Sequence, residues 1–115
     1  MLTHRWADQD LSAEPDYNVR AGRLVRLGDE PYEGGAWVVV EPGDTMRRHV
    51  NPDGESEMFF FVDGAGVMEV DTEKRRVSPG QTVLVPPGLP HSLHNDGDRP
   101  LRLLALWWGA TVAAQ

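Results

Sequence analysis

The 12 glycines and 9 prolines of this 115-residue chain fall between short apolar runs, and that punctuation most limits what it can fold into. Glycine and proline end regular elements, and a chain interrupted this often has room for short strands but not for long helices. No stretch keeps a helical period with caps at both ends. The spacing predicts strands over 23–27, with Leu24 on one face and Val25 and Leu27 on the other, and over 36–41, closed by Pro42-Gly43. A run over 57–62 is closed by Asp63-Gly64, and 66–71 alternates before a hairpin turn at 72–74 into 75–77. Residues 82–85 stop at Pro86-Pro87-Gly88, and 91–95 and 101–108 flank a turn-forming segment over 95–100. Eight or so short strands predict an all-β single domain, a sandwich or a barrel. At this length roughly two-thirds of the unfolded surface can be buried, enough for a core without staples. Residues 1–20 read as an N-terminal arm that Trp6 and Tyr17 dock, and 21–115 as the barrel domain.

Composition narrows the chemistry. With no cysteine there are no disulfides, thiolate zinc sites, iron–sulfur clusters or thiol nucleophiles. Any metal must therefore sit in a shell of nitrogen and oxygen ligands, which suits iron, manganese, nickel, copper or zinc. A net charge of −7 argues against a nucleic-acid partner, which needs a basic surface. No segment approaches the roughly 20 apolar residues of a membrane span, and the first ten residues lack the apolar core of a signal peptide. The expectation is a cytoplasmic protein with no membrane partner.

The chain has four histidines: His4, His49, His91 and His94. Strand parity puts Thr45, Arg47, His49 and Asn51 on one face, and Glu55, Glu57, Phe59 and Phe61 on one face beyond the Pro52-Asp53-Gly54 turn. A hairpin of this kind brings His49 near a glutamate. His91 follows a rigid Pro-Pro-Gly-Leu-Pro bend that fixes where its side chain points, while the same parity turns His94 outward. Two imidazoles and one carboxylate are a common metal shell with positions left open for water or substrate. The bland alternative for each histidine is an imidazole satisfied by neighbouring polar groups.

The stretch GQTVLVPPGLPHSLHN over 80–95 matches the pattern G-x5-P-x-G-x2-H-x3-N at every defined position. Residues 43–64 resemble G-x5-H-x-H-x3,4-E-x6-G, with Gly43 five residues before His49 and Glu57 six before Gly64. These are the two motifs of the cupins, in order and with a strand pair between them, so the chain is identified as resembling a small single-domain cupin. The resemblance implies a double-stranded β-helix, a jelly-roll-like barrel. It maps His49, Glu57 and His91 to metal ligands, with Glu55 as the rival carboxylate because Glu55 keeps the gap after position 51. Asn51 stands where the motif has its second histidine, and its amide oxygen is a weak or water-mediated candidate ligand. The implied cofactor is one divalent metal ion, Fe2+ favoured, with Mn2+, Ni2+, Zn2+ or Cu2+ open.

Several roles remain beside the shell. Arg47, on the face assigned to His49, is a candidate to hold a substrate carboxylate, against the blander reading of a salt bridge to Glu55 or Glu57. Whichever glutamate is not a ligand is a candidate base, so Glu55 and Arg47 are the catalytic candidates. The Phe59-Phe60-Phe61 run and the Trp107-Trp108 pair each present both faces, one to the interior and one to a partner, and the expected assembly is a homodimer. Fold alone does not set the reaction. The leading expectation is a metal-dependent enzyme for a small molecule, a dioxygenase or a tailoring isomerase or cyclase. Its rivals are a non-catalytic ligand-binding module without a tight metal and, more weakly, an accessory subunit.

Overall fold

The computed structural model describes residues 1, 7–24 and 33–110. After a single 3-10 turn at Asp8–Asp10, these residues form strands β1 (Ser12–Glu14), β2 (Val19–Arg23), β3 (Gly34–Val40), β4 (Thr45–His49) and β5 (Ser56–Asp63). They continue as β6 (Gly66–Val70), β7 (Glu73–Val77), β8 (Thr82–Val85), β9 (His91–His94) and β10 (Leu101–Trp108). A six-stranded sheet has the order β1-β2-β3-β10-β5-β8, and a four-stranded sheet has the order β4-β9-β6-β7. From β3 to β10 the chain crosses repeatedly between them, the jelly-roll arrangement that the family resemblance implies, where the turn punctuation alone gave a sandwich or a barrel. Among the described residues no helix is long and apolar enough to cross a membrane.

Alternation fills the space between the sheets. Val38 and Val40, Phe59 and Phe61, and Leu101 and Leu103 point inward from the large sheet. Met46, Met68, Val77 and Leu93 meet them from the small one. The intervening side chains Phe60, Val62, Leu84 and Trp108 stand exposed. Outside, Arg102 donates to both Asp8 and Asp63, tying the 3-10 turn to the end of β5.

Three details differ from the pattern read in the sequence. The boundary at 20/21 falls inside β2, whose residues 20–23 pair with β3, so β1 and β2 form a hairpin within the large sheet and not a detached arm. The β1–β2 turn permits this because Asn18 adopts φ +58, a conformation asparagine tolerates. Of the strand expected over 23–27, only Arg23 and Leu24 lie among the described residues; Arg23 ends β2, and Trp6 is also outside them. The β6–β7 turn is Asp71-Thr72, one residue earlier than expected, since Val70 already pairs with Glu73.

The motif residues that are not ligands hold turns. Gly64 has φ +81, and a Cβ there would lie 2.6 Å from the Pro100 carbonyl oxygen, so only glycine lets the β5–β6 corner approach the start of β10. Asn95 is fully buried and donates to the Val40 and Arg99 carbonyls at 2.9 and 2.8 Å, while its Oδ1 accepts from the Gly97 amide at 3.0 Å. Asn95→Ala strands those groups in the interior. It is expected to lower stability by about 2–4 kcal/mol, read as a lower thermal midpoint with the fold otherwise retained. An unchanged midpoint would contradict this role.

Candidate metal centre

His49 and His91 are Cα partners across β4 and β9 in the small sheet, and their ring centroids lie 4.4 Å apart. Glu57 faces them from β5 of the large sheet, with Oε1 3.4 Å from His91 Nε2. One ligand atom from each of the three residues falls within 4.8 Å of the others. The site is thus closed from both sheets, and its geometry depends on their packing.

An irregularity in β4 aims His49. Met46 pairs with Leu93 and His49 with His91, so three steps on β4 oppose two on β9. This bulge resets the parity. Met46 and His49 both turn inward, and Arg47 and Arg48 both lie exposed. The expectation that Arg47 shares the inner face with His49 is therefore corrected, because unbroken alternation does not hold through the bulge. Arg47 does not line the cavity, and the role of substrate clamp goes with that position. Arg48 pairs outside with Glu69 at 3.3 Å.

Hydrogen bonds fix both imidazoles. His49 Nδ1 lies 2.7 Å from the Arg47 carbonyl oxygen and His91 Nδ1 lies 3.1 Å from that of Leu89. A carbonyl only accepts, so each Nδ1 carries a proton, and Nε2 is the nitrogen that each ring turns to the centre. His91 Nε2 is buried and, among the described residues, has no hydrogen-bond partner. Its neighbour is the Glu57 carboxylate, another acceptor. Two acceptors held this close in a buried place repel unless a cation lies with them, and the residue types suit a first-row metal ion.

Asn51 takes an outer position. Its Nδ2 donates to Glu57 Oε1 at 3.1 Å, a contact that orients the carboxylate. Glu55 sits on the loop before β5, outside the three-residue cluster but buried, and it lines the same cavity. Burial, then the negative charges of Glu57 and Glu33, push its carboxyl above the ordinary value of 4.5, and His91 offsets part of this. His94 is turned away from the centre, against Thr45 Oγ1 at 2.7 Å.

The centre opens into a cavity of about 430 Å³. Its space comes from small side chains in one inward row, where Ala105 lies between Ala36 and Phe59. In the next row Trp107 lies between Gly34 and Glu57. A Cβ on Gly34 would come within 2.1 Å of the indole, so the glycine is what lets Trp107 lie against β3 as a cavity wall. Tyr17 also lines the cavity, its ring centroid 4.7 Å from that of His49. Sequence reading gave Tyr17 only a docking role, and no local pattern links it to a residue so distant in the chain.

The described fold agrees with what other proteins show. The cupin domain family matches residues 36–107, and the chain belongs to that family. An uncharacterized protein of Methanocaldococcus jannaschii, MJ1618, is 29% identical over 110 residues, covering 90% of this chain and 87% of that one. Protein SchB of Streptomyces halstedii is 35% identical over 95 residues, 76% of this chain and 67% of its own length. Among solved structures, a Cupin 2 conserved barrel domain protein from Salinispora arenicola superposes with a TM-score of 0.80 at 28% identity, covering 96% of this chain and 91% of that one.

Burial of Glu55 gives a pH signature. Its raised folded value means that folding disfavours the charged form. The stability of metal-free wild type relative to Glu55→Gln is therefore greatest below about pH 4.5 and falls as pH rises through the raised value. Thermal midpoints of the two proteins from about pH 4 to pH 7 should diverge, with the glutamine variant gaining. Parallel profiles would place the Glu55 carboxyl in water.

Proposed function

We propose that this chain is a metal-dependent enzyme acting on a small organic molecule held in the cavity beside His49, Glu57 and His91. The observation that carries the reading is the buried Nε2 of His91 facing the carboxylate of Glu57, a residue that lines that cavity together with His49. Two imidazoles and one carboxylate with open positions are the shell of non-haem ferrous oxygenases, which favours Fe2+ and oxidation by dioxygen over isomerisation or cyclisation. Such an ion would polarise a substrate oxygen or activate dioxygen next to it.

The chain's own residues supply the rest. Ala36, Ala105 and Phe59 offer an apolar floor, Trp107 and Tyr17 offer walls, and the sheets exclude bulk water from His91. Asn51 holds the Glu57 carboxylate in place. Glu55, buried beside the cavity with its carboxyl pushed above the ordinary value, is placed to give or take a proton at substrate. The rival reading, a binding module without tight metal, draws on Asn51 in the place of a third imidazole.

Dioxygen uptake by ferrous-reconstituted protein, measured against a panel of small molecules bearing two neighbouring oxygens, tests the proposal. Metal-dependent uptake is expected, and Glu55→Gln should lower the rate by about 100-fold or more while keeping the metal. Ala105→Leu, which fills the floor, should also keep the metal but abolish turnover. Ligand binding of equal strength in metal-free and metal-loaded protein, with no turnover, would favour the binding module. Product formation without dioxygen uptake would move the reading to isomerisation or cyclisation.

A further inference from the structure

We propose that Tyr17, on the β1–β2 hairpin that precedes the residues shared with the family, is the positioning residue for His49. The inference rests on reading His49, Glu57 and His91 as a metal site and adds to it a part contributed by this chain's amino-terminal strands.

His91 and His49 are held differently. His91 is fully buried, packed near Phe59 with ring centroids 6.0 Å apart, so its environment fixes it. His49 is only half-buried at the end of β4. Its ring meets His91 at 4.4 Å and Tyr17 at 4.7 Å, both tilted. Without Tyr17, the described contacts leave its ring only His91 and one hydrogen bond from Nδ1.

That hydrogen bond is itself tied to the hairpin. The Arg47 backbone lies between the two residues. Its carbonyl accepts from His49 Nδ1 at 2.7 Å, and its amide donates to the Tyr17 carbonyl at 2.9 Å. Asn18 adds a second pin, donating from Nδ2 to the Thr45 carbonyl at 3.1 Å. The hairpin thus restrains His49 twice, once by ring packing and once through the backbone unit that sets its tautomer. Outer contacts of this kind fix ligand direction and with it metal affinity. Glu14, Tyr17 and Val19 also line the cavity, so the same hairpin forms part of its wall.

Cobalt(II) serves as the probe, since its visible spectrum reports ligand geometry. Tyr17→Ala and Tyr17→Leu are expected to weaken cobalt binding about tenfold or more and to change the spectrum. Tyr17→Phe, which keeps the ring, should stay within about twofold of wild type. In metal-free protein, long-range nitrogen–proton spectra of the His49 imidazole should show one tautomer, protonated at Nδ1, in wild type and Tyr17→Phe, and a mixture in the other two. Leucine keeps apolar bulk, so it reads the loss of the ring if alanine unfolds the hairpin. Unchanged affinity and tautomer in Tyr17→Leu would overturn the proposal, as would Tyr17→Phe behaving like Tyr17→Ala. If wild type binds no cobalt, the metal reading fails, and the tautomer alone decides whether Tyr17 positions His49.

Discussion

The imidazole of His91 and the carboxylate of Glu57 approach to 3.4 Å across the two sheets, and the site depends on that contact. Each is brought there by a strand of the opposite layer, β9 for the histidine and β5 for the glutamate. The Leu89 carbonyl accepts a hydrogen bond from His91 Nδ1, which turns Nε2 toward the Glu57 carboxylate in a buried place. An unsatisfied buried polar group costs about 1–3 kcal/mol, and more when charge is involved. A bound divalent ion removes that cost and turns the repulsion into coordination. Asn51 then makes sense as a donor, because it neutralises part of the carboxylate's demand without competing for the ion.

The cavity follows from a second constraint, the size of the side chains beside this contact. Ala36 and Ala105 lie in a large-sheet row whose neighbours are Val38 and Leu103, and those neighbours close the core beneath them. Above them Gly34 gives way to the Trp107 indole. The inner surface therefore passes from packed core to open pocket within two rows, with the candidate ligands at its edge. Packing and the candidate site are separated along the strands in this way, with the core rows below and the cavity-lining rows above.

Much of the fold was legible because turn residues sit at fixed intervals. The glycines at 43, 64, 80 and 88 all adopt positive φ, the conformation for which glycine is chosen, so their spacing encodes strand length. The second motif was legible in full for the same reason, and it located His91 and Asn95. Parity served well where the ladder is unbroken, as for His91, Leu93 and outward His94. It failed at β4, because a bulge consumes one residue without any marker at that point. Two successive arginines were the available signal, since neither can be buried in an apolar core. The choice between Glu55 and Glu57 was not legible either, as they share a parity and only the register of β5 against β10 and β8 separates them. The contact of Tyr17 with His49 lay further out of reach, because it depends on a hairpin docking through backbone groups that carry no sequence identity.

The centre is tested most directly by the metal content of untagged protein, measured by plasma mass spectrometry on wild type and His91→Ala. Near one equivalent of a first-row metal per wild-type chain, lost in the variant while the fold is kept, is the predicted result. Negligible metal in wild type, even after reconstitution with Fe2+, would contradict it and leave the facing His91 and Glu57 to be reconciled by a proton alone.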